Sequence, residues 1–128
     1  MNTFYKPLFL ALFSLIIWGC ATGKNAFDKG DYATALDRAV NRLQANPTNK
    51  KAQNVLMDGY RMASQFHLKR IQQLNRSNDP LRFESIYNEY TFLNRYYNDI
   101  QRCPACLDLV NPSEYLVEQQ EAAVMAAQ

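Results

Sequence analysis

The stretch from Gly30 to Asn49 constrains the fold of this chain more than any other part of the sequence. Apolar residues within it recur at spacings of three and four, which is the period of one helical face. They are Tyr32, Ala35, Leu36, Ala39, Val40 and Leu43. Gly30 supplies the backbone freedom of a tight turn, and Pro47 stops a helix. The sequence therefore predicts an amphipathic helix from Asp31 or Tyr32 to about Ala45, with a shorter helix before Gly30.

The same helical period continues through the rest of the chain. It predicts a long helix from about Lys50 to Leu74, an aromatic helix from Pro80 to about Arg102, and a final helix from Asn111 onward. Asp79 is the predicted N-cap of the aromatic helix. Asn111 is the predicted N-cap of the final helix, with Glu114 completing a capping box. Because the prolines fall between the periodic segments, the sequence predicts an all-α protein.

Two further apolar stripes are predicted to complete the core. The stripe of the long helix comprises Ala52, Leu56, Gly59, Tyr60, Ala63, Phe66 and Leu74, widened by Val55, Met62 and Ile71. The stripe of the aromatic helix comprises Phe83, Tyr87, Tyr90, Leu93, Tyr97 and Ile100, with Ile86, Phe92 and Tyr96 beside it. His67 lies next to the first stripe, and nothing within helical reach completes a metal site there. We therefore expect a packed or half-exposed histidine and no bound metal.

Composition and charge indicate one small domain. The chain has 14 basic and 12 acidic residues, and no basic block stands out. We therefore expect no nucleic-acid partner. Residues 20–128 are long enough for a single helical domain with its own small core.

The N-terminal segment has the layout of a secretory signal. Lys6 precedes an apolar run from Leu8 to Trp18 that only Ser14 interrupts. This run is about a dozen residues, whereas a helix needs roughly 20 to cross a membrane. Residues 1–19 are therefore predicted to be a signal peptide rather than a permanent anchor.

The junction Ile17-Trp18-Gly19-Cys20 resembles the bacterial lipobox. That resemblance implies cleavage before Cys20, acylation of this cysteine by palmitate-type chains, and attachment to a membrane. Ala21 stands where an aspartate would imply retention in the inner membrane, so the resemblance implies an outer-membrane lipoprotein facing the periplasm. The alternative is an ordinary signal peptide followed by an incidental cysteine.

The residues from Gly30 to Asn49 also resemble the second half of a tetratricopeptide repeat. The resemblance rests on the Gly30-Asp31-Tyr32 turn, the Ala35-Leu36 pair, Leu43 and the Asn46-Pro47 exit. It continues into Leu56 and Tyr60 and covers about a third of the chain. It implies antiparallel helical hairpins, with about one and a half repeats plus two further helices. The alternative is a generic helical bundle.

Cys103-Pro104-Ala105-Cys106 is the one constellation with possible covalent chemistry. Haem attachment requires histidine where Leu107 stands, and zinc requires two further ligands that the sequence does not offer. A thioredoxin-like site places its first cysteine at a helix N-terminus, whereas Cys103 follows the predicted aromatic helix. A structural disulfide between Cys103 and Cys106 is therefore favoured, with a thiol-disulfide oxidoreductase as the alternative.

Two groups of residues are predicted to form an exposed apolar patch that contacts a partner. The first is Phe92 and Tyr96, because the aromatic helix carries more large side chains than one stripe needs to bury. The second is Ala122, Ala123 and Ala126, on a final helix that reaches Gln128 without a C-terminal cap. Either this helix frays, or the chain is a shortened relative of a longer repeat protein.

No catalytic residues and no cofactor are predicted. The only histidine is His67, and no serine lies in a nucleophile-elbow motif, so hydrolase chemistry lacks its base and nucleophile. Resemblance to tetratricopeptide-containing lipoproteins, such as those of the outer-membrane barrel-assembly machinery, implies a protein-binding or scaffold module in an envelope complex. The rival hypotheses are a structural envelope lipoprotein without a dedicated partner and the thiol-disulfide oxidoreductase.

Overall fold

The computed structural model describes residues 23–128, and this part of the chain is all-α, as predicted. Its helices are α1 (Lys24–Asp28), α2 (Tyr32–Ala45), α3 (Lys50–Asn75), α4 (Arg82–Gln101), α5 (Pro104–Leu107) and α6 (Leu116–Ala126). The predicted signal peptide, the lipobox and Cys20 lie outside the described residues. The likeness to tetratricopeptide repeats remains a prediction.

The hairpin of α2 and α3 begins and turns where the sequence indicates. Gly30 adopts a φ of +78°, so a residue with a side chain would be strained there. The Asp31 carboxylate caps α2 by accepting a hydrogen bond from the Thr34 amide (3.2 Å), and Asn49 caps α3 by accepting one from the Ala52 amide (2.9 Å). The helix bounds predicted for α2 and α3 are confirmed to within one residue.

Three pairs of helices make most of the contacts in the fold. The most extensive contacts are those of α2 with α3, of α3 with α4, and of α4 with α6. Leu43 of α2, Leu56 of α3 and Ile100 of α4 are completely buried where these helices meet. Because α3 contacts both α2 and α4, it forms the middle of the core.

The predicted start of α4 is wrong by two residues. The helix begins at Arg82, and the Asp79 carboxylate accepts a hydrogen bond from the Leu81 amide (2.9 Å) in the turn before it. The Arg82 amide donates to the Asp79 carbonyl oxygen (3.1 Å), so residues 79–82 form a turn that leads into the helix.

The predicted start of α6 at Asn111 is also wrong, because the helix begins at Leu116. The residues before it are held by tertiary contacts. The Ser113 amide donates to Tyr60 Oη (2.9 Å), and the Tyr115 amide donates to Asn94 Oδ1 (2.7 Å). These bonds satisfy the backbone N–H groups of Ser113 and Tyr115, so this segment is held without forming a helix.

The buried faces of α3 and α4 are rotated relative to the predicted stripes. On α3 the side chain of His67 is buried, whereas that of Phe66 is 58% exposed. On α4 the buried positions recur at alternating spacings of three and four. They are Ile86, Glu89, Leu93, Tyr96 and Ile100, with Asn94 beside them. Tyr87 of the predicted stripe is exposed. Two polar side chains, Glu89 and Asn94, are therefore buried on α4 although the predicted stripe includes neither of them.

Between residues 23 and 128, none of the helices combines the length and the apolar character needed to cross a membrane.

Candidate functional site

The most elaborate polar cluster of the described chain connects α3 to α4. His67 Nδ1 lies 2.6 Å from Glu89 Oε2, and His67 Nε2 lies 3.1 Å from the Tyr96 hydroxyl oxygen. The Nε of Arg70 donates to the other oxygen of Glu89 at 2.7 Å. His67, Glu89 and Tyr96 are each less than a tenth exposed. A buried carboxylate is thus held between a histidine ring and a guanidinium group.

The histidine ring is also enclosed by aromatic side chains. It stacks on Phe92, with ring centroids 5.0 Å apart and planes 15° apart. The Phe66 ring meets it nearly perpendicularly at 5.3 Å. The outer sides of both phenylalanines reach solvent, since Phe66 is 58% and Phe92 43% exposed.

One tautomer of His67 satisfies the three central groups. With the proton on Nδ1, the ring donates to Glu89 and accepts from the Tyr96 hydroxyl at Nε2. The Tyr96 proton is then held inside the cluster. Burial raises the pKa of Tyr96 above its ordinary value, and the negative charges of Asp31 and Glu89 add to this while Arg95 opposes it.

A carboxylate, a histidine and a hydroxyl in sequence have the order of a nucleophilic triad, but the hydroxyl here is unsuited to that role. A raised pKa makes the Tyr96 oxygen harder to ionise, and the side chain is 5% exposed. Activated nucleophiles are reachable and have a lowered pKa or an adjacent free base. The cluster is therefore an internal polar link that fixes the register of α3 against α4.

The sequence predicts a packed or half-exposed His67 but does not identify Glu89 as its partner. The pairing is indicated by the spacing of His67 and Glu89 from the apolar residues of their helices. His67 lies four residues after Ala63 and four before Ile71, both of which are buried. Glu89 lies between Ile86 and Leu93 in the series that faces the core. A charged residue at a core position of one helix, with the sole histidine at a core position of the next, indicates a buried pair.

The structure separates the residues that were predicted to form the partner surface. Tyr96 is 5% exposed and Ala122 is also 5% exposed, so the prediction that they belong to an exposed patch is wrong. Tyr96 is buried where its hydroxyl group forms a hydrogen bond with His67, and Ala122 is the one buried side chain of α6. Phe92 and Ala126 are exposed, and Ala123 is half-buried.

The larger exposed apolar surface lies on other residues of α6. Leu116, Val117, Val124 and Met125 are between 43% and 68% exposed. Val117, Val124 and Met125 line a shallow depression of about 490 Å³ together with Gln120 and Glu121. We call this surface the outer face of α6. The sequence showed these side chains but not which way the helix turns them.

Polar contacts hold the inner side of α6 on α4. Asn94 Nδ2 donates to Gln119 Oε1 (2.8 Å), and Gln119 Nε2 donates to Thr91 Oγ1 (2.8 Å). The Tyr90 and Tyr115 rings pack at 5.7 Å beside them. Because the side of α6 that carries Gln119 faces α4, the large apolar side chains of α6 face outward.

Cys103 and Cys106 form a disulfide, as predicted. Both cysteines are fully buried. Cys103 follows the last turn of α4 and is also the N-cap of the one-turn helix α5. The expectation that Cys103 lies only at the C-terminal end of a helix was therefore incomplete. Burial now provides the stronger argument against thiol exchange, because an attacking thiolate has to reach a sulfur atom.

Within residues 23–128, no group of three or more histidine, cysteine, aspartate or glutamate side chains is arranged to hold a metal ion. No protein-family model matches the chain, and no curated protein or solved structure is significantly similar to it.

Proposed function

We propose that this protein is a lipid-anchored lipoprotein of the outer membrane that faces the periplasm and acts as a protein-binding or scaffold module in an envelope complex. Its lipid anchor would be Cys20, as the lipobox-like junction implies. Its binding surface would be the outer face of α6. It would act without catalysis.

The observation that supports a binding role best is the exposure of α6. Four large apolar side chains on a helix of 11 residues face away from the core. Single exposed apolar residues are ordinary on protein surfaces, whereas contiguous groups usually mark contact sites. Val117 and Val124 are seven residues apart, so they lie on the same side of the helix.

The charges beside this face specify the kind of partner. Glu118 and Glu121 are exposed on the same helix, which has no basic residue in its last turn. A partner helix with an apolar stripe and flanking lysine or arginine residues would complement both features. The partner we propose is therefore an amphipathic basic helix of an envelope protein.

Two observations weigh against the enzymatic alternatives. Both ring nitrogens of His67 are engaged by buried neighbours, so the only histidine is not available as a base. Both sulfur atoms of the disulfide are buried. Thiol-disulfide exchange would require a sulfur atom that a substrate can reach, and hydrolysis would require a histidine that a substrate can reach.

The test is site-specific photo-crosslinking in living cells with the full-length protein. A photoreactive residue at Val117 or Val124 should crosslink to one recurring envelope protein, which mass spectrometry identifies. The matched control is Leu68, an exposed apolar residue of α3 at 38% exposure. Position 68 should yield no such product.

A charge substitution completes this test. Val124→Lys should abolish the crosslink from position 117, because it places an ammonium group in an apolar contact and against the basic residues proposed for the partner. Leu68→Lys should leave that crosslink intact. Equal crosslinking from positions 68 and 117, or no specific product from α6, would refute the proposed binding surface.

A further inference from the structure

A second concave site lies at the N-terminus of α2, and no residue of α6 lines it. It is a cleft of about 270 Å³ between α2, α3 and α4. The residues at the start of α2, from Gly30 to Ala33, form one wall. Ala63, Phe66 and His67 of α3 and Phe92 and Tyr96 of α4 form the others. We call it the aromatic cleft.

The walls of the aromatic cleft are mainly aromatic rings. Phe66 and Phe92 border it from two helices and are still 58% and 43% exposed. The ring of Phe92 is fixed by stacking on His67, which Glu89 in turn holds by a hydrogen bond. Tyr32 lines the cleft from α2 and packs against Phe27 at 5.6 Å. The rings are thus positioned before any ligand arrives.

The charge at the cleft is negative. Asp31 lines it, and hydrogen bonds from Thr34, together with the positive charge of Arg38, lower the pKa of its carboxyl group, so Asp31 stays ionised at neutral pH. Among the described residues, Asp31 has no cation within ion-pair distance. Glu89 behind the histidine is neutralised by Arg70. The helix dipole of α2 contributes only about half a positive charge at this point, which a full carboxylate outweighs.

Aromatic faces next to a carboxylate favour one class of ligand. The face of an aromatic ring carries the negative part of its quadrupole and attracts cations. Alkylammonium groups combine positive charge with an apolar surface that such rings cover. An anion would meet Asp31, and a neutral apolar group would leave the carboxylate uncompensated.

We propose that the aromatic cleft binds a small organic cation of the alkylammonium class, held between Phe66 and Phe92 with Asp31 as its counter-charge. This site is separate from the outer face of α6 and does not depend on the proposed protein partner.

The test uses choline as the cationic probe and 3,3-dimethylbutan-1-ol as its uncharged isostere. The full-length protein is purified from membranes in detergent, and binding is followed by calorimetry and by NMR of the phenylalanine rings. Choline should bind at millimolar concentration and shift the resonances of Phe66 and Phe92. The isostere should bind at least about fivefold more weakly, which corresponds to ~1 kcal/mol of cation–π and charge interaction.

Three variants locate the site. Phe92→Leu keeps an apolar side chain at an exposed position and should weaken choline binding about fivefold or more. Asp31→Asn keeps a good N-cap, so it should leave the helix content unchanged and weaken binding of choline but not of the isostere. Tyr87→Leu, which removes an exposed aromatic residue of α4 that does not line the cleft, should have no effect.

Absence of choline binding at millimolar concentration would overturn the proposal. So would equal affinity for the isostere, or binding that Phe92→Leu and Asp31→Asn leave unchanged while circular dichroism shows both variants folded. None of these outcomes bears on the crosslinking from Val117, so the two proposals fail independently.

Discussion

Polar side chains decide the packing of this fold at two positions of α4. Glu89 is buried because His67 and Arg70 occupy both of its oxygens. Asn94 is buried because its amide group donates to Gln119 and accepts from the Tyr115 backbone. A buried polar group without partners costs roughly 1–3 kcal/mol, so each residue specifies which neighbour α4 must face.

Removing the Tyr96 hydroxyl tests this role at His67. Tyr96→Phe keeps the ring but leaves His67 Nε2 without its partner, so we expect a loss of about 1–3 kcal/mol in the free energy of unfolding. Urea denaturation at neutral pH measures this loss as a lower midpoint concentration of urea, with an unchanged dependence of the unfolding free energy on urea concentration. Tyr87→Phe, at a 38% exposed tyrosine, is the control and should change stability by less than about 0.5 kcal/mol.

The stability difference between wild type and Tyr96→Phe should also depend on pH. Because burial raises the pKa of Tyr96, the folded protein binds more protons than the unfolded chain above pH 10.0, the ordinary value. The stability that Tyr96 contributes is therefore complete below pH 10 and is lost as the pH rises further. The stability difference between wild type and Tyr96→Phe should shrink above pH 10. Tyr90, whose pKa burial also raises, titrates in both proteins. A difference that stays constant with pH, or equal losses for Tyr87→Phe, would contradict this account.

At the scale of the element, each helix has a different means of attachment. Helix α2 is attached by a continuous apolar stripe, and all but one of its six predicted members are fully buried. Helix α6 buries Ala122 alone and is held chiefly by hydrogen bonds to α4. Helix α6 therefore keeps its apolar side chains exposed, and for this reason the proposed binding surface lies on α6 rather than on α4.

The turn after α4 is fixed by the disulfide and by a hydrogen bond from Gln44 Nε2 to the Arg102 carbonyl oxygen (3.1 Å). The disulfide closes a short loop, so chain-entropy arguments give it about 2 kcal/mol. We expect the double variant Cys103→Ala with Cys106→Ala to lose about that much stability while retaining its helical circular dichroism.

Chemical labelling checks the same disulfide. An alkylating reagent added before reduction should modify neither Cys103 nor Cys106, because both are oxidised and buried. The purified protein should not accelerate insulin reduction. An activity that Cys106→Ser abolishes would restore the oxidoreductase hypothesis.

At the scale of the whole molecule, the anchor and the two candidate surfaces have different positions in the chain. The proposed lipid anchor lies just before the first described helix, and the outer face of α6 lies at the other end of the sequence. The proposed anchor and the proposed binding surface therefore use different residues, so each can be tested without altering the other.

Lipidation of Cys20 is tested directly. Cys20→Ser should abolish incorporation of labelled palmitate and either release the protein from the membrane fraction or leave an unprocessed form, because stable anchoring requires more than one acyl chain. Cys103→Ser is the control and should remain acylated and membrane-bound. Unchanged membrane association of Cys20→Ser without any acyl label would refute the lipoprotein assignment.

The sequence by itself determined the all-α class, the bounds of α2 and α3, and the pairing of Cys103 with Cys106. These follow from local rules: the helical period of apolar residues, the backbone freedom of Gly30, and the proximity of two cysteines three residues apart. Only the tertiary structure decided which way α4 and α6 turn their faces. Tyr96 and Ala122 face the core, whereas Phe66 and Val124 face solvent. The reason is that His67, Gln119 and the irregular residues 110–115 form hydrogen bonds with partners on α3 and α4. Such pairings join positions 21 to 53 residues apart, and a periodicity read along one helix carries no information about them.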